Sequence, residues 1–180
     1  EHYDVWVDAR GGNKELHDKV LPYITRDVSK LEVGDVIIGD GHRLAFFVKN
    51  PYTGNPVRPT LVAYQDWKSG GFVGFEIMLE ENTQCIASAL RNSIINLGKV
   101  PRFVYQDNGK AFKAKYFTED GIAGLFKNLG IQAISAKPYN AKAKPIERLF
   151  RELQDSFEVM LPSYTGTSIV KKPAQLKRNE

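Results

Sequence analysis

The pattern of apolar and polar positions predicts strands in the first half of the chain. Val36, Ile37 and Ile38 form an apolar run without alternation, which is typical of a strand that is covered on both faces. Further runs predict strands that join it in an antiparallel meander, over residues 43–49, 58–65 and 72–78. Clusters of Pro, Gly and Asn separate these runs and predict tight turns.

From residue 82 onward the apolar period changes to that of helices. Apolar residues between positions 86 and 97 recur at helical spacing, with Asn82 or Thr83 as the N-cap and Gly98 as the stop. Strands over residues 102–106 and 132–135 flank a second helix, which Thr118 begins and Gly130 ends. A last helix follows Pro145, and its predicted apolar face consists of Ile146, Leu149, Phe150, Leu153 and Phe157. This order predicts an α/β fold with a mixed sheet flanked by helices.

Composition limits the class of protein and its location. A chain of 180 residues with 42% hydrophobic residues is sufficient for one buried core. No apolar run suits a membrane span, and the N-terminus lacks the apolar segment of a signal peptide. The single cysteine, Cys85, excludes an internal disulfide and favours a reducing, cytoplasmic compartment. We expect an arm or linker over residues 1–30, a core domain over 31–165 and a connector over 166–180.

Two predicted strands end in aspartate, and one predicted helix begins with glutamate. Asp40 lies between two glycines at the carboxyl end of the first strand, where the backbone can turn sharply, and Asp107 follows the strand over 102–106. Polar ligands of such sheets bind at the carboxyl ends of the strands. Glu147 lies in the first turn of the last helix, off its apolar face. Each acid alone also has an ordinary explanation, since GDG and DNG are turn sequences and Glu147 suits a helix dipole. Asp35 and Asp66 also lie near strand ends and rank below these acids.

Three carboxylates at close range are retained mainly when a cation neutralises them. Oxygen-only ligands favour Mg²⁺ or Mn²⁺ over Zn²⁺, and two such ions about 4 Å apart assist phosphodiester chemistry. A pI of about 9.1 with a formal charge of +4 permits nucleic-acid binding without requiring it. Basic and polar residues close to the acids could contact nucleic-acid phosphates, although a solvated charged loop is the alternative: Lys137, Lys142, Lys144, Arg148, Asn108 and His42. For His42 a role in orienting Asp40 is also open.

The segments VGDVIIGDGH, YQDNGKAF and PYNAKAKPIERLF resemble the catalytic core of DDE transposases and integrases, most closely the phage Mu transposase group. The resemblance covers most of the chain, from about Asp27 to about Thr165. It implies an RNase H-like fold with a five-stranded mixed sheet, in which a meander is followed by two parallel strands. It further implies a triad of Asp40, Asp107 and Glu147 as catalytic residues and metal ligands. The spacing of 147 − 107 = 40 positions is near that of retroviral integrases, and the Mu enzyme carries a longer insert.

The resemblance also implies a reaction, cofactors and partners. Two Mg²⁺ ions, for which Mn²⁺ can substitute, would support nicking of the 3′ ends of a mobile element or prophage and their transfer to target DNA. The expected partners are element-end and target DNA, further copies of the chain assembled on DNA, and an ATP-dependent target-delivery protein. A bacterial or phage-encoded protein at the nucleoid would fit, and the chain would be a core excised from a longer protein. Two alternatives stay open: an RNase H-like nuclease that only hydrolyses, and a domesticated, catalytically silent core that binds DNA.

Overall fold

The computed structural model describes residues 9–10, 28–106, 124–135 and 145–166. The chain divides into two compact units, Glu1–Lys30 and Leu31–Glu180, and all elements described below belong to the second. Within the described residues the strands are β1 (Val36–Arg43), β2 (Val48–Lys49), β3 (Pro56–Val57), β4 (Thr60–Asp66), β5 (Phe72–Met78), β6 (Phe103–Gln106) and β7 (Gln132–Ser135). The helices are α1 (Thr83–Leu97), α2 (Leu125–Asn128) and α3 (Ile146–Ser156), and a 3-10 turn at Glu158–Met160 follows α3.

Five strands form one mixed sheet in the order β5-β4-β1-β6-β7. The pairs β1–β4 and β4–β5 are antiparallel, whereas β1–β6 and β6–β7 are parallel. The parallel pairs need crossover connections, and α1 lies in the chain between β5 and β6. This arrangement is the α/β, RNase H-like fold, so the predicted fold class is confirmed. None of the described helices has the length and apolar character needed to cross a bilayer.

The first strand is longer and straighter than predicted. Within the described residues it pairs with β6 from Val36 to Gly39, and its pairing with β4 extends as far as Arg43 opposite Thr60. Asp40 therefore lies inside an extended strand, and the predicted sharp turn around it is wrong. The antiparallel neighbour β4 pairs with β1 on both sides of Asp40 and as far as Arg43, which keeps the strand extended.

The predicted strand over residues 43–49 is also wrong. After Arg43 the chain leaves the main sheet, and only Val48–Lys49 is a strand, paired with β3 in a separate two-stranded sheet. The intervening backbone pairs with the end of the described chain instead, through an isolated antiparallel bridge between Phe46 and Tyr164. The apolar pattern of this segment reflects burial of Leu44 and Ala45 rather than strand pairing in the main sheet.

Apolar cores lie on both faces of the central sheet. Ile37 packs in the cluster that includes α1, and its neighbour Ile38 packs in the cluster that includes α3. Neither residue exposes surface, because successive side chains of a strand point to opposite faces and each face is covered. The absence of alternation in this run therefore predicted the double coverage correctly.

The helix boundaries follow local signals in α1 and depart from the apolar pattern in α3. Asn82 caps α1 by accepting a hydrogen bond from the Cys85 N–H at 2.9 Å, and Gly98 ends it in the left-handed conformation, as predicted. In α3, Phe157 is 47% exposed and does not belong to the buried face, whereas Gln154 is buried. The helix ends at Ser156, so Phe157 leaves the helical path with φ of −124° and turns outward.

Candidate active site

A cleft opens where β1 passes the start of α3. Asp40, Gly41 and His42 of β1 contribute one wall, and Glu147, Phe150, Arg151 and Gln154 of α3 contribute the other. The cleft has a volume of about 330 Å³. Two acids that are far apart in the sequence therefore line one open, polar space.

The strand presents Asp40 and His42 to the same side. They are two positions apart in an extended strand, so their side chains share a face. Both are partly exposed, and the Asp40 carboxylate accepts a hydrogen bond from the Gly41 N–H at 3.0 Å.

The helix presents Glu147 because its neighbour is anchored. Ile146 is fully buried in the core and fixes the first turn of α3, while the adjacent Glu147 is exposed and faces the cleft. The N-terminal position also places Glu147 near the positive end of the helix dipole. The structure thus brings Asp40 and Glu147 together, and their roles stay predictions.

The remaining predicted site residues fall elsewhere or outside the described structure. Asp107 follows Gln106, the last residue of β6, and lies outside the described residues together with Asn108, Lys137, Lys142 and Lys144. Arg148 is exposed on α3 and forms an ion pair with Glu152 at 2.9 Å. It lines a neighbouring groove on α3 and does not line the cleft. Arg151 lines both the groove and the cleft.

Sequence patterns missed a further acid beside Asp40. A Cβ atom placed on Gly41 would collide with the carboxylate of Glu81, so that carboxylate lies directly against β1. Partial burial raises the pKa of Glu81, and the negative charge of Asp40 raises it further. Glu81 precedes the N-cap of α1, where a polar residue is ordinary, and only the packing of α1 on the sheet reveals its position.

His42 is held by a buried glutamate, Glu158, that the sequence patterns also did not predict as a site residue. Its Nε2 atom lies 3.1 Å from Oε1 of Glu158, which is fully buried. The other carboxylate oxygen of Glu158 accepts a hydrogen bond from the Ala45 N–H at 2.6 Å. The His42 ring stacks on Phe150 with centroids 5.0 Å apart and an angle of 15° between the planes. The ring is therefore fixed on two sides.

The lower-ranked acids have structural partners away from the cleft. Asp66 is fully buried and accepts hydrogen bonds from the Gly34 and Ser69 backbone N–H groups. The backbone N–H of Glu32 lowers the pKa of Asp35, which also pairs with Lys99 at 3.2 Å. These contacts stabilise the turns at the start of β1 and after β4, in agreement with the lower rank of both acids.

Cys85 belongs to the core, as predicted. It lies in the first turn of α1 and is fully buried, and this burial raises the pKa of its thiol to about 11. A thiol with such a pKa stays protonated at neutral pH and is a poor nucleophile. The thiol therefore contributes packing rather than chemistry.

The described residues contain two of the three acids needed for the predicted triad. Over residues 28–106, 124–135 and 145–166, no group of three or more His, Cys, Asp or Glu side chains is arranged to hold a metal ion. Asp40 and Glu147 supply oxygen donors, the type that Mg²⁺ and Mn²⁺ prefer. The donor chemistry of the cleft therefore fits these ions, and the third acid would come from outside the described residues.

Comparison with known proteins gives only remote likeness in fold. No protein-family model matches the chain. Among solved structures, a similar chain comes from the cryo-electron microscopy structure of a simian T-cell lymphotropic virus intasome in complex with the PP2A regulatory subunit B56 gamma. The TM-score is 0.46 at 16% sequence identity, over 98% of this chain and 68% of that chain. A likeness at this level assigns no function, so the residues of the cleft must carry the assignment.

Proposed function

We propose that the chain is the catalytic core of a DDE transposase or integrase, which nicks the 3′ ends of a mobile DNA element and joins them to target DNA. The observation that carries the proposal is the cleft that Asp40 and Glu147 line together. The segments around these two acids are also those that resemble the family, most closely the phage Mu transposase group. Asp107, one peptide bond beyond β6, is the proposed third member.

Mg²⁺ or Mn²⁺ is the proposed cofactor, held by Asp40, Glu147 and Asp107. When bound, a pair of such ions supplies an activated water or 3′-hydroxyl and stabilises the charge of the leaving oxygen. The acids themselves provide the negative charge that draws the cations to the cleft. Burial and, to a smaller extent, the charge of Asp40 raise the pKa of Glu81, and a bound cation would offset that charge.

The walls of the cleft suit a phosphodiester strand. Arg151 lies exposed beside Glu147 and would contact a phosphate oxygen, since guanidinium groups match phosphate geometry. His42 lies on the opposite wall. The basic residues Lys137, Lys142 and Lys144 precede α3 in the sequence and are proposed to extend the DNA contact. Assembly of several copies on element ends and target DNA, with delivery of the target by an ATP-dependent protein in a bacterial cytoplasm, belongs to the same proposal.

A branched DNA that contains a strand-transfer junction tests this function without knowledge of the element ends. With Mn²⁺ or Mg²⁺, reversal of joining would reseal one strand at the branch, whereas a purely hydrolytic nuclease would only cut. Glu147→Gln should lower the rate by more than about 100-fold, the loss seen when one stabilising group is removed from a transition state. Glu152→Gln, an exposed glutamate of the same helix, is the matched control and should keep the activity.

Two results would count against the proposal. Cleavage without resealing would indicate a hydrolytic nuclease in place of a strand transferase. Equal activity in Glu147→Gln and Glu152→Gln would remove Glu147 from the site.

A further inference from the structure

Glu158 occupies an energetically costly position that the fold alone does not require. The side chain exposes no surface, and a carboxylate is rarely buried unless it is paired and hydrogen-bonded. Replacement of such a pair by apolar residues of similar volume is often neutral or stabilising. The presence of a buried glutamate here therefore calls for a reason beyond stability.

Both oxygens of Glu158 are engaged, and they link two distant parts of the chain. One accepts from the Ala45 backbone N–H and fixes the carboxylate in place. The other meets Nε2 of His42, which is 116 positions away in the sequence. The carboxylate is thus a rigid anchor for the edge of the imidazole ring.

The His42 ring lies between this anchor and the cleft. Phe150 stacks on the ring and restricts its tilt, while Glu158 restricts its rotation. The His42 side chain is 20% exposed and lines the cleft together with Asp40 and Glu147, whereas Glu158 does not line it. Because Nε2 is engaged by the carboxylate, Nδ1 is the ring nitrogen that remains for a ligand.

We infer that Glu158 is a positioning residue, which holds His42 so that its free ring edge contacts the nucleic-acid strand in the cleft that Asp40 and Glu147 line. This inference rests on the proposed function, because it assigns His42 a contact with that substrate. Glu158 acts through the ring and does not touch the substrate. The ring is already oriented in the free protein, so binding needs little further ordering of this side chain.

Two amide substitutions separate positioning from a purely structural role. In His42→Gln the amide nitrogen takes the place of Nε2 and can still donate to Glu158, but nothing replaces Nδ1. Glu158→Gln keeps the volume of the buried side chain and disturbs its bond to the ring. Glu76→Gln is the control, because Glu76 is a partly buried glutamate that bonds to Ser88 on the sheet face covered by α1.

Single-turnover rates on the branched DNA with Mn²⁺ provide the functional readout. His42→Gln and Glu158→Gln should each lower the rate at saturating DNA by about 10- to 100-fold, the usual loss when a supporting group or its orientation is removed. The double variant should lose no more than His42→Gln alone, because Glu158 acts only through the ring. A His42→Gln rate equal to that of wild type, or additive losses in the double variant, would overturn the inference.

A spectroscopic readout keeps the positioning testable if the proposed function fails. In the 180-residue chain without DNA, the Nε2–H of His42 should give a slowly exchanging proton signal in wild type and Glu76→Gln, and Glu158→Gln should lose it. Absence of the signal in wild type, or its persistence in Glu158→Gln, would overturn the positioning. A wild type without metal-dependent activity would overturn the proposed function and the substrate contact, while this signal still decides whether Glu158 orients the ring.

Discussion

Gly74 of β5 lies directly against the backbone of α1, so Gly74→Ala tests the packing that places Glu81 beside Asp40. A Cβ atom at Gly74 would collide with the side chain and backbone nitrogen of Ser93 and would lie 2.6 Å from the Ser93 Cα. An ordinary van der Waals contact between a Cβ atom and a neighbouring heavy atom begins at 3.4 Å, so α1 would have to move away from the sheet by at least 3.4 − 2.6 = 0.8 Å. The obstacle is helix backbone and cannot rotate away.

A helix displaced by about 0.5–1 Å loses about a quarter to a half of its dispersion energy with the sheet. The surface at risk includes the buried α1 residues Ile86, Ala89 and Leu90. Overpacked sites usually cost about 1–3 kcal/mol, and we expect about 3 kcal/mol here because the clash involves backbone. For a chain of this size that loss lowers the Tm by about 6–12 °C.

Thermal and urea unfolding of Gly74→Ala and Gly71→Ala measure this cost. Gly71 is exposed, and a Cβ there would meet only the Ser69 hydroxyl at 3.7 Å, so its change in stability should stay within about 0.5 kcal/mol. The Gly74 variant should show a lower urea midpoint with an unchanged slope. A Tm within about 2 °C of the Gly71 variant would refute the close approach of α1 to β5, because that is less than the change for about 1 kcal/mol.

Three further predictions concern the cleft. Asp40→Asn should lower the pKa of Glu81, because it removes a neighbouring negative charge; carboxyl-carbon NMR titration measures this, and an unchanged value would contradict their proximity. A raised pKa means that the folded state holds the Glu81 proton more tightly than the unfolded state, so the contribution of this group to stability falls as pH rises from the unfolded to the folded pKa. In urea unfolding, the stability of Glu81→Gln should therefore fall less than that of wild type over that pH range. His42→Ala should cost about 2 kcal/mol in urea unfolding, because it leaves the buried Glu158 carboxylate with one partner fewer, and a neutral effect would contradict the pairing.

Features determined by neighbouring residues could be predicted from the sequence. The limits of α1 follow from Asn82 and Gly98, which satisfy the helix ends through contacts within a few residues. The double burial of Ile37 and Ile38 follows from the absence of alternation. One contact between distant residues could also be predicted: Asp40 approaches Glu147 because the element order places the carboxyl end of β1 and the start of α3 at the same end of the sheet.

Other features that depend on distant partners could not be predicted. Residues 43–49 have the apolar pattern of a strand, but Phe46 in this segment pairs with Tyr164. This pairing depends on the tertiary packing of two segments that are far apart in the sequence. The sequence around Glu81 is typical of a polar turn, and the sequence around Glu158 is typical of an exposed charged residue at the end of a helix. Their positions result from contacts with β1, which no pattern within either segment encodes.

Calorimetric titration of Mn²⁺ into the 180-residue chain tests the central claim most directly. Wild type and Glu152→Gln should bind the ion, whereas Asp40→Asn and Glu147→Gln should each lose most of the binding heat, because each removes an oxygen ligand from the cleft. The same site predicts that Mg²⁺ at about 100 times its Kd stabilises wild type by about 2.7 kcal/mol. Equal binding in all four proteins, or no binding to wild type, would contradict a carboxylate metal site at Asp40 and Glu147.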